Sequence, residues 1–227
     1  ETPSRFSAAY RPHDDWKIHG SWAEGFKAPT IFQLSYFFPY SSQVSGNSDL
    51  NPETSKSFDA GLEWAFLKSR GIIGVTYFHQ NTKNQIDYID GWYENVNKVK
   101  SKGVEVTGEY RLSDTLDFEV DYSYIDAKKG NGNRQLSVPK NSGSARLLFA
   151  PSELLSAAIT MRHNGLEKNS YGNVKSWTRL DINGSYKLSG KLELYGRIEN
   201  IFDEEYQQVF GYGTPGISAN IGLRLSM

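Results

Sequence analysis

The sequence contains no cysteine in its 227 residues, which excludes a disulfide framework and a thiolate metal site. It has no long apolar run. Stretches such as LLFA at 147–150 last only a few residues, well short of the roughly 18 that a membrane-crossing helix requires. Neither charge is in excess: 25 Lys and Arg stand against 26 Asp and Glu, so no electrostatic footprint for nucleic acid is present. The four histidines, His13, His19, His79 and His163, are scattered without metal-ligand spacing. No GxSxG, P-loop or HExxH occurs, and no nucleophile stands beside a base, so no catalytic residue, cofactor or metal site is assigned. No charged-then-apolar leader precedes Glu1, so the chain is expected to be mature, intracellular or a fragment. The low mean hydropathy, -0.56, excludes less than it first suggests. A membrane strand needs apolar residues only at every second position.

Aromatics, by contrast, are plentiful at 14%, and they fall on an alternating pattern. In TLDFEVDYSYID at 115–126, Leu116, Phe118, Val120, Tyr122 and Tyr124 interleave with Asp117, Glu119, Asp121 and Ser123. The same period of two runs through 58–66, 104–112, 180–188 and 217–225, and helical periodicity fits none of them. About eleven strands follow, near 5–10, 16–26, 54–66, 71–81, 98–112, 116–127, 142–149, 155–164, 176–188, 192–202 and 216–226. The links between them alternate in length. Short ones lie near 11–15, 67–70, 113–115, 150–154 and 189–191; long ones cover 27–53, 82–97, 128–141, 165–175 and 203–215. Turns on one side and long loops on the other are the pattern of an outer-membrane barrel rather than a Greek-key sandwich.

Matching apolar faces across the short turns predicts register. With a three-residue turn at Ser113, Asp114 and Thr115, Leu112 faces Leu116, Tyr110 faces Phe118 and Val106 faces Tyr122. A like turn at 189–191 sets Leu188 beside Leu192 and Tyr186 beside Leu194. Tyr10, Trp16, Trp64, Phe66, Tyr110, Phe118, Phe149 and Tyr186 then gather on the apolar face near the short turns, as an interfacial girdle would. The opposite face carries Glu105, Glu109, Arg111, Asp117, Glu119 and Asp121, expected to line a lumen or face a plug. Glu109 faces Glu119 there, and like charges directly opposite destabilise a sheet. Two accounts stand: a basic partner filling the barrel, or a solvated acidic face. A soluble all-β binding domain with the apolar face turned inward is the rival from another class.

Several motifs mark strand-to-loop boundaries: WAEGFKAPT at 22–30, NSDLNPETSKS at 47–57, NQIDYID at 84–90, KSKGVEVTGEY at 100–110 and ENIFDEEYQQVFGYGTPG at 199–216. Together they resemble TonB-dependent outer-membrane receptors over essentially the whole chain. They are most similar to the vitamin B12 (cobalamin) transporter branch, from whose pattern Ser48 departs. Physically these motifs are mainly structural: Asp203 can accept backbone hydrogen bonds at its turn, and Pro52 precedes a strand where it costs no ladder bond.

The resemblance implies an all-β, antiparallel up-and-down transmembrane β-barrel, with residues 1–227 forming the C-terminal portion of about 22 strands. It implies a bacterial outer-membrane location, TonB-energised import without covalent chemistry, and outer-membrane lipid as solvent. Its implied partners are a plug domain, an N-terminal barrel half, TonB and a small ligand, a corrinoid or alternatively an iron-siderophore chelate. No plug and no TonB box stand in this sequence, so a fragment beginning mid-barrel is expected, an open sheet unless the other half is supplied. Family members usually end on Phe or Trp, whereas Met227 ends this one. Loop aromatics are the candidate ligand contacts: Tyr36, Phe37, Phe38, Tyr40, Tyr88, Trp92, Tyr93 and Tyr212. Packing of these rings among the loops themselves is the competing expectation.

Overall fold

Period-two patterning builds an antiparallel sheet wherever it occurs. The computed structural model describes residues 2–35 and 46–226. In chain order the strands are β1 (Arg5–His13), β2 (Trp16–Lys27), β3 (Glu53–Phe66), β4 (Gly71–Ile89), β5 (Trp92–Ser113), β6 (Leu116–Lys129), β7 (Asn141–Phe149), β8 (Leu155–Asn164), β9 (Glu167–Asn169), β10 (Gly172–Val174), β11 (Trp177–Lys187), β12 (Leu192–Glu199), β13 (Gln207–Val209), β14 (Tyr212–Gly213) and β15 (Ser218–Leu225). A short helix, α1 (Ile31–Ser35), follows β2. Eleven strands form one open sheet in the order β1-β2-β3-β4-β5-β6-β7-β8-β11-β12-β15, and β9/β10 and β13/β14 are separate two-stranded hairpins. These eleven are the strands expected from the alternation.

The loops differ from expectation in three places. Residues 165–175 and 203–215 hold the two small hairpins. Residues 82–97 are not a loop: β4 and β5 stay paired up to Ile89↔Trp92. The turn between them is Asp90-Gly91, with φ of 51° and 90°. That is the type I′ geometry which Asp-Gly adopts at low cost and which matches strand twist. β3 ends at Glu53, so the pairs from Gln85↔Val96 to Ile89↔Trp92 rise beyond it. At about 3.3 Å per residue the hairpin stands roughly 17 Å above its neighbour.

Register follows the apolar match almost throughout. Tyr110↔Phe118, Arg111↔Asp117, Glu109↔Glu119 and Val106↔Tyr122 are Cα partners, as are Tyr186↔Leu194. Leu188 N donates to Leu192 O at 2.8 Å. Leu112 does not face Leu116. The register shifts after Arg111 and Ser113 pairs Leu116 instead. A bulge there takes up one residue and shortens the turn to Asp114 and Thr115.

The core is on neither face of the sheet. Few large apolar side chains are buried; Leu50, Ile86, Val99, Val174 and Tyr206 are the main ones among the described residues. One face carries a broad apolar band that is open. Ile18, Leu62, Val75, Val106 and Tyr122 form a continuous row across five strands, and Ile18, Leu62, Val75 and Tyr122 are all more than 40% exposed. A contiguous patch of that extent in water would drive association. Aromatic rings bound the row at both ends. Near the short turns Trp16 stacks on Trp64 at 5.4 Å, Trp64 meets Phe66 at 5.2 Å, and Phe66 meets Tyr110 at 5.9 Å. Toward the long loops Phe6 stacks on Trp22, and Phe58 packs on Tyr77 and His79. The inward-packed reading of a soluble domain therefore fails: Tyr122 and Ile182 are open at 43% and 37%, and Phe118 is half-buried.

Candidate functional site

The polar face is the first part of the site. Strand alternation places Glu105, Glu109, Arg111, Asp117, Glu119 and Asp121 on it together. The opposed Glu109 and Glu119 do meet, and the compensating cation comes from the next strand. Arg146 on β7 is the partner of Glu119, with Nη1 3.7 Å from Oε2. Arg111 Nε lies 3.5 Å from Asp117 Oδ1. Asp121 accepts from Ser144, through N at 3.1 Å and Oγ at 2.5 Å. Glu105, between Thr76 and Ser123, and Glu109 have no ion-pair partner among the described residues. A shallow cleft of about 540 Å³ lies here, lined by Glu109, Glu119, Asp121, Arg146 and Arg162 among others.

A second polar cluster, not singled out from sequence, holds the upper wall. Asp181 on β11 is 6% exposed. It accepts from Arg162 on β8, from Arg179 Nη2 at 2.9 Å, and from the backbone N of Asn200 at 3.0 Å. Arg179 Nη1 donates to Tyr206 Oη at 2.9 Å, and the Tyr206 ring packs on Trp177 at 4.6 Å. Asn200, at φ 55°, is 2% exposed. Its Oδ1 accepts from Glu204 N and its Nδ2 donates to Glu204 O. Asp203 Oδ1 does accept a backbone N–H, but from Ile217 across the loop at 2.8 Å and not from its own turn. One buried carboxylate thus ties two barrel strands, β8 and β11, to the loop at 200–217. The alternation did place Asp181 opposite the apolar face. What it lacked was the register between β8 and β11 across the long link at 165–175, which decides that Arg162 reaches it.

The loop aromatics divide. Tyr36, Phe37, Phe38 and Tyr40 lie outside the described residues. Tyr88 and Tyr93 are cross-strand partners at the tip of the β4/β5 hairpin, with rings 4.9 Å apart. Phe32 of α1 meets Tyr93 edge-on at 6.1 Å. Trp92 pairs with Ile89 and so points to the opposite side of the hairpin. Tyr212, 73% exposed, is on the separate β13/β14 hairpin. The structure therefore brings two of the four described candidates together. Segment 46–51 braces them: Asn47 Nδ2 donates to Tyr93 O at 2.8 Å, and Asn51 N donates to Asn95 Oδ1 at 2.8 Å. Among the described residues no three His, Asp or Glu side chains cluster in a way that could hold a metal ion.

A sheet that exposes an aromatic-bounded apolar face and lines the other with ion pairs is a wall between lipid and an aqueous bore. Residues 4–201 match the family described as TonB dependent receptor-like, β-barrel. The chain belongs to that family, whose barrels reside in the outer membrane of Gram-negative bacteria. Solved structures agree in fold. A variant of the ferric enterobactin receptor PfeA from Pseudomonas aeruginosa superposes with a TM-score of 0.81 at 20% identity, covering 99% of this chain and 40% of that one. The siderophore receptor PirA from Acinetobacter baumannii gives 0.79 at 19%, covering 99% and 41%. The copper transporter OprC gives 0.81 at 15%, covering 98% and 39%. The chain thus spans about 40% of the length of the receptors it matches.

Proposed function

We propose that this chain is the C-terminal part of the wall of a TonB-energised receptor that imports a ferric-siderophore complex across the outer membrane. The observation that carries the membrane role is the two-faced sheet: an open apolar face against a charged, hydrogen-bonded one. Its free edges at β1 and β15 are the places where further strands of an approximately 22-stranded barrel would add. The polar face would then receive a plug, with Glu105 and Glu109 open to basic groups on it. No step in this function breaks or forms a covalent bond.

The iron chelate is favoured over a corrinoid by the named ligands of the similar receptors, ferric enterobactin and other siderophores. The motif likeness to the cobalamin branch supports the second reading. Tyr88, Tyr93 and Phe32, clustered at the mouth, offer rings to a flat or apolar ligand of either kind. Growth of a receptor-deficient strain expressing the full-length protein separates the two. Rescue under iron limitation by a ferric catecholate, with no uptake of cyanocobalamin, is the expected result; the reverse pattern would overturn the iron reading. Replacing Tyr88 and Tyr93 by Ala should weaken uptake, and unchanged uptake in those variants and in Trp92→Ala and Tyr212→Ala would remove the loop site.

A further inference from the structure

The outward face is not apolar to its upper edge. On β3 to β6 it changes character abruptly above the aromatic ring. Leu62, Val75, Val106 and Tyr122 share their orientation with every second residue further along the same strands. Two steps above Phe58 and His79 that orientation presents Lys56, Asn81, Lys100 and Lys128 in a single row, joined as Cα partners across four strands. Lys83 and Lys98 are partners one outward step higher, and Lys102 faces Asp126 one outward step lower. Two acids share the patch, and each is engaged: Glu24 with Lys56 at 3.0 Å and Asp126 with Lys128 at 3.3 Å. Lys83, Lys98, Lys100 and Lys102 have no ion pair among the described residues. Lysines directly opposite one another, as Lys83 and Lys98 are, destabilise a bare sheet.

The patch is local. Eight residues along the strand from Phe149, Leu155 and Tyr186, which lie by the short turns as Tyr110 does, the outward positions of β7, β8 and β11 are Asn141, His163 and Thr178. At the opposite edge of the apolar band they are Trp16, Trp64, Phe66, Tyr110 and Phe118. The height is informative too. From Tyr110 to Lys102 is eight residues, about 26 Å along the strand at 3.3 Å each. At a tilt near 40° that is roughly 20 Å along the membrane normal, close to the height of a barrel's apolar band. The lysines therefore sit level with the headgroups of the outer leaflet, on the lipid side of the wall. A cavity of about 360 Å³ opens there, lined among others by Glu24, Lys56, Asn81, Lys83 and Lys98. On its wall Asn81 Nδ2 donates to His79 Nε2 at 2.9 Å, while Asn81 Oδ1 is buried without any hydrogen-bond partner.

We propose that this patch binds a phosphorylated glycolipid of the outer leaflet. Lysine ammonium groups meet the phosphates, and a sugar hydroxyl donates to Asn81 Oδ1. Acyl chains of the same molecule descend over Phe58, Tyr77 and Tyr124 below. This site is on the lipid face, away from the bore, and does not depend on which ligand is imported.

The test uses the full-length receptor in detergent, titrated with bis-phosphorylated lipid A, with the dephosphorylated lipid, and with inorganic phosphate. Each lysine near an anionic lipid surface accounts for about a fivefold change in affinity. The triple variant Lys83→Gln, Lys98→Gln, Lys100→Gln should therefore bind bis-phosphorylated lipid A roughly a hundredfold more weakly, with an unfolding midpoint no lower than the parent's, since the opposed Lys83 and Lys98 charges are removed. A control pair near the short turns, Lys68→Gln and Lys191→Gln, should bind as the parent does. Binding of the parent should also weaken as salt rises. Equal binding of the dephosphorylated lipid, equal binding by the triple variant, or inorganic phosphate binding as tightly as the lipid would each overturn the assignment.

Discussion

Asp181 gives the sharpest energetic prediction, because two arginines reach the same carboxylate oxygen under different solvent conditions. Arg162 makes the shorter contact, 2.5 Å, but its side chain is 48% exposed. Arg179 is at 2.9 Å with 21% exposure, and its second nitrogen is held by Tyr206. If distance decided, Arg162 would be the stronger partner. Solvent decides instead. An exposed ion pair is worth up to about 1 kcal/mol, whereas a hydrogen bond from a charged group in a shielded site is worth about 1.5–3 kcal/mol. Double-mutant cycles pairing Asp181→Asn with Arg162→Gln and with Arg179→Gln should show the larger coupling for Arg179. Asp181→Ala should cost about 3–5 kcal/mol, because it strands both a shielded cation and the N–H of Asn200. Asp181→Asn should cost less, since its carbonyl still accepts from Asn200. The assay is guanidinium unfolding of the full-length receptor in micelles, followed where refolding is reversible. Coupling to Arg162 equal to or above that of Arg179 would refute the argument from exposure.

Other outcomes follow from single residues. Gly91→Val forces a β-branched residue to φ near 90° and should cost about 1–2 kcal/mol, seen as faster hydrogen exchange at the β4/β5 tip with the lower strands unchanged. Asn200→Ala removes the acceptor of Glu204 N from a site 2% exposed and should cost about 1–3 kcal/mol; proteolysis in 200–217 should rise. Glu119→Gln breaks a half-exposed pair with Arg146 and should shift stability by no more than about 1 kcal/mol. Glu105→Lys with Glu109→Lys should weaken plug retention in the full-length receptor, and unchanged retention would show that these carboxylates are merely solvated.

Strands and register were legible in the sequence because the period of two is the direct imprint of a sheet with unlike faces. The short turns helped, since three or four residues leave one register that keeps Tyr110 against Phe118. Two features were hidden for separable reasons. The β4/β5 hairpin carries polar residues on both faces from Lys83 to Asn95, so alternation fades there while pairing continues. Its Asp90-Gly91 turn was the available signal. The bulge at Ser113 involves one residue and leaves the outward faces of both strands apolar as before, so the pattern could not register it. The polar wall was half legible: its acids are dense on β5 and β6, but the cation that answers Glu119, Arg146, comes from β7, a strand entered through the long link at 128–141. The basic patch escaped because its lysines are spread between 56 and 128 and become neighbours only once four strands are aligned.

The central claim is that the apolar face meets lipid and the other face does not. Two adjacent residues on β4 test it. Val75, 44% exposed, lies mid-row between Leu62 and Val106, while Thr76 is the partner of Glu105 on the other face. Measured in bilayers, Val75→Arg should cost about 2–4 kcal/mol, the range for a cation at the lipid midplane. Thr76→Arg, gaining a carboxylate neighbour, should change stability by under about 1 kcal/mol. Equal costs, or the larger cost at Thr76, would contradict the account.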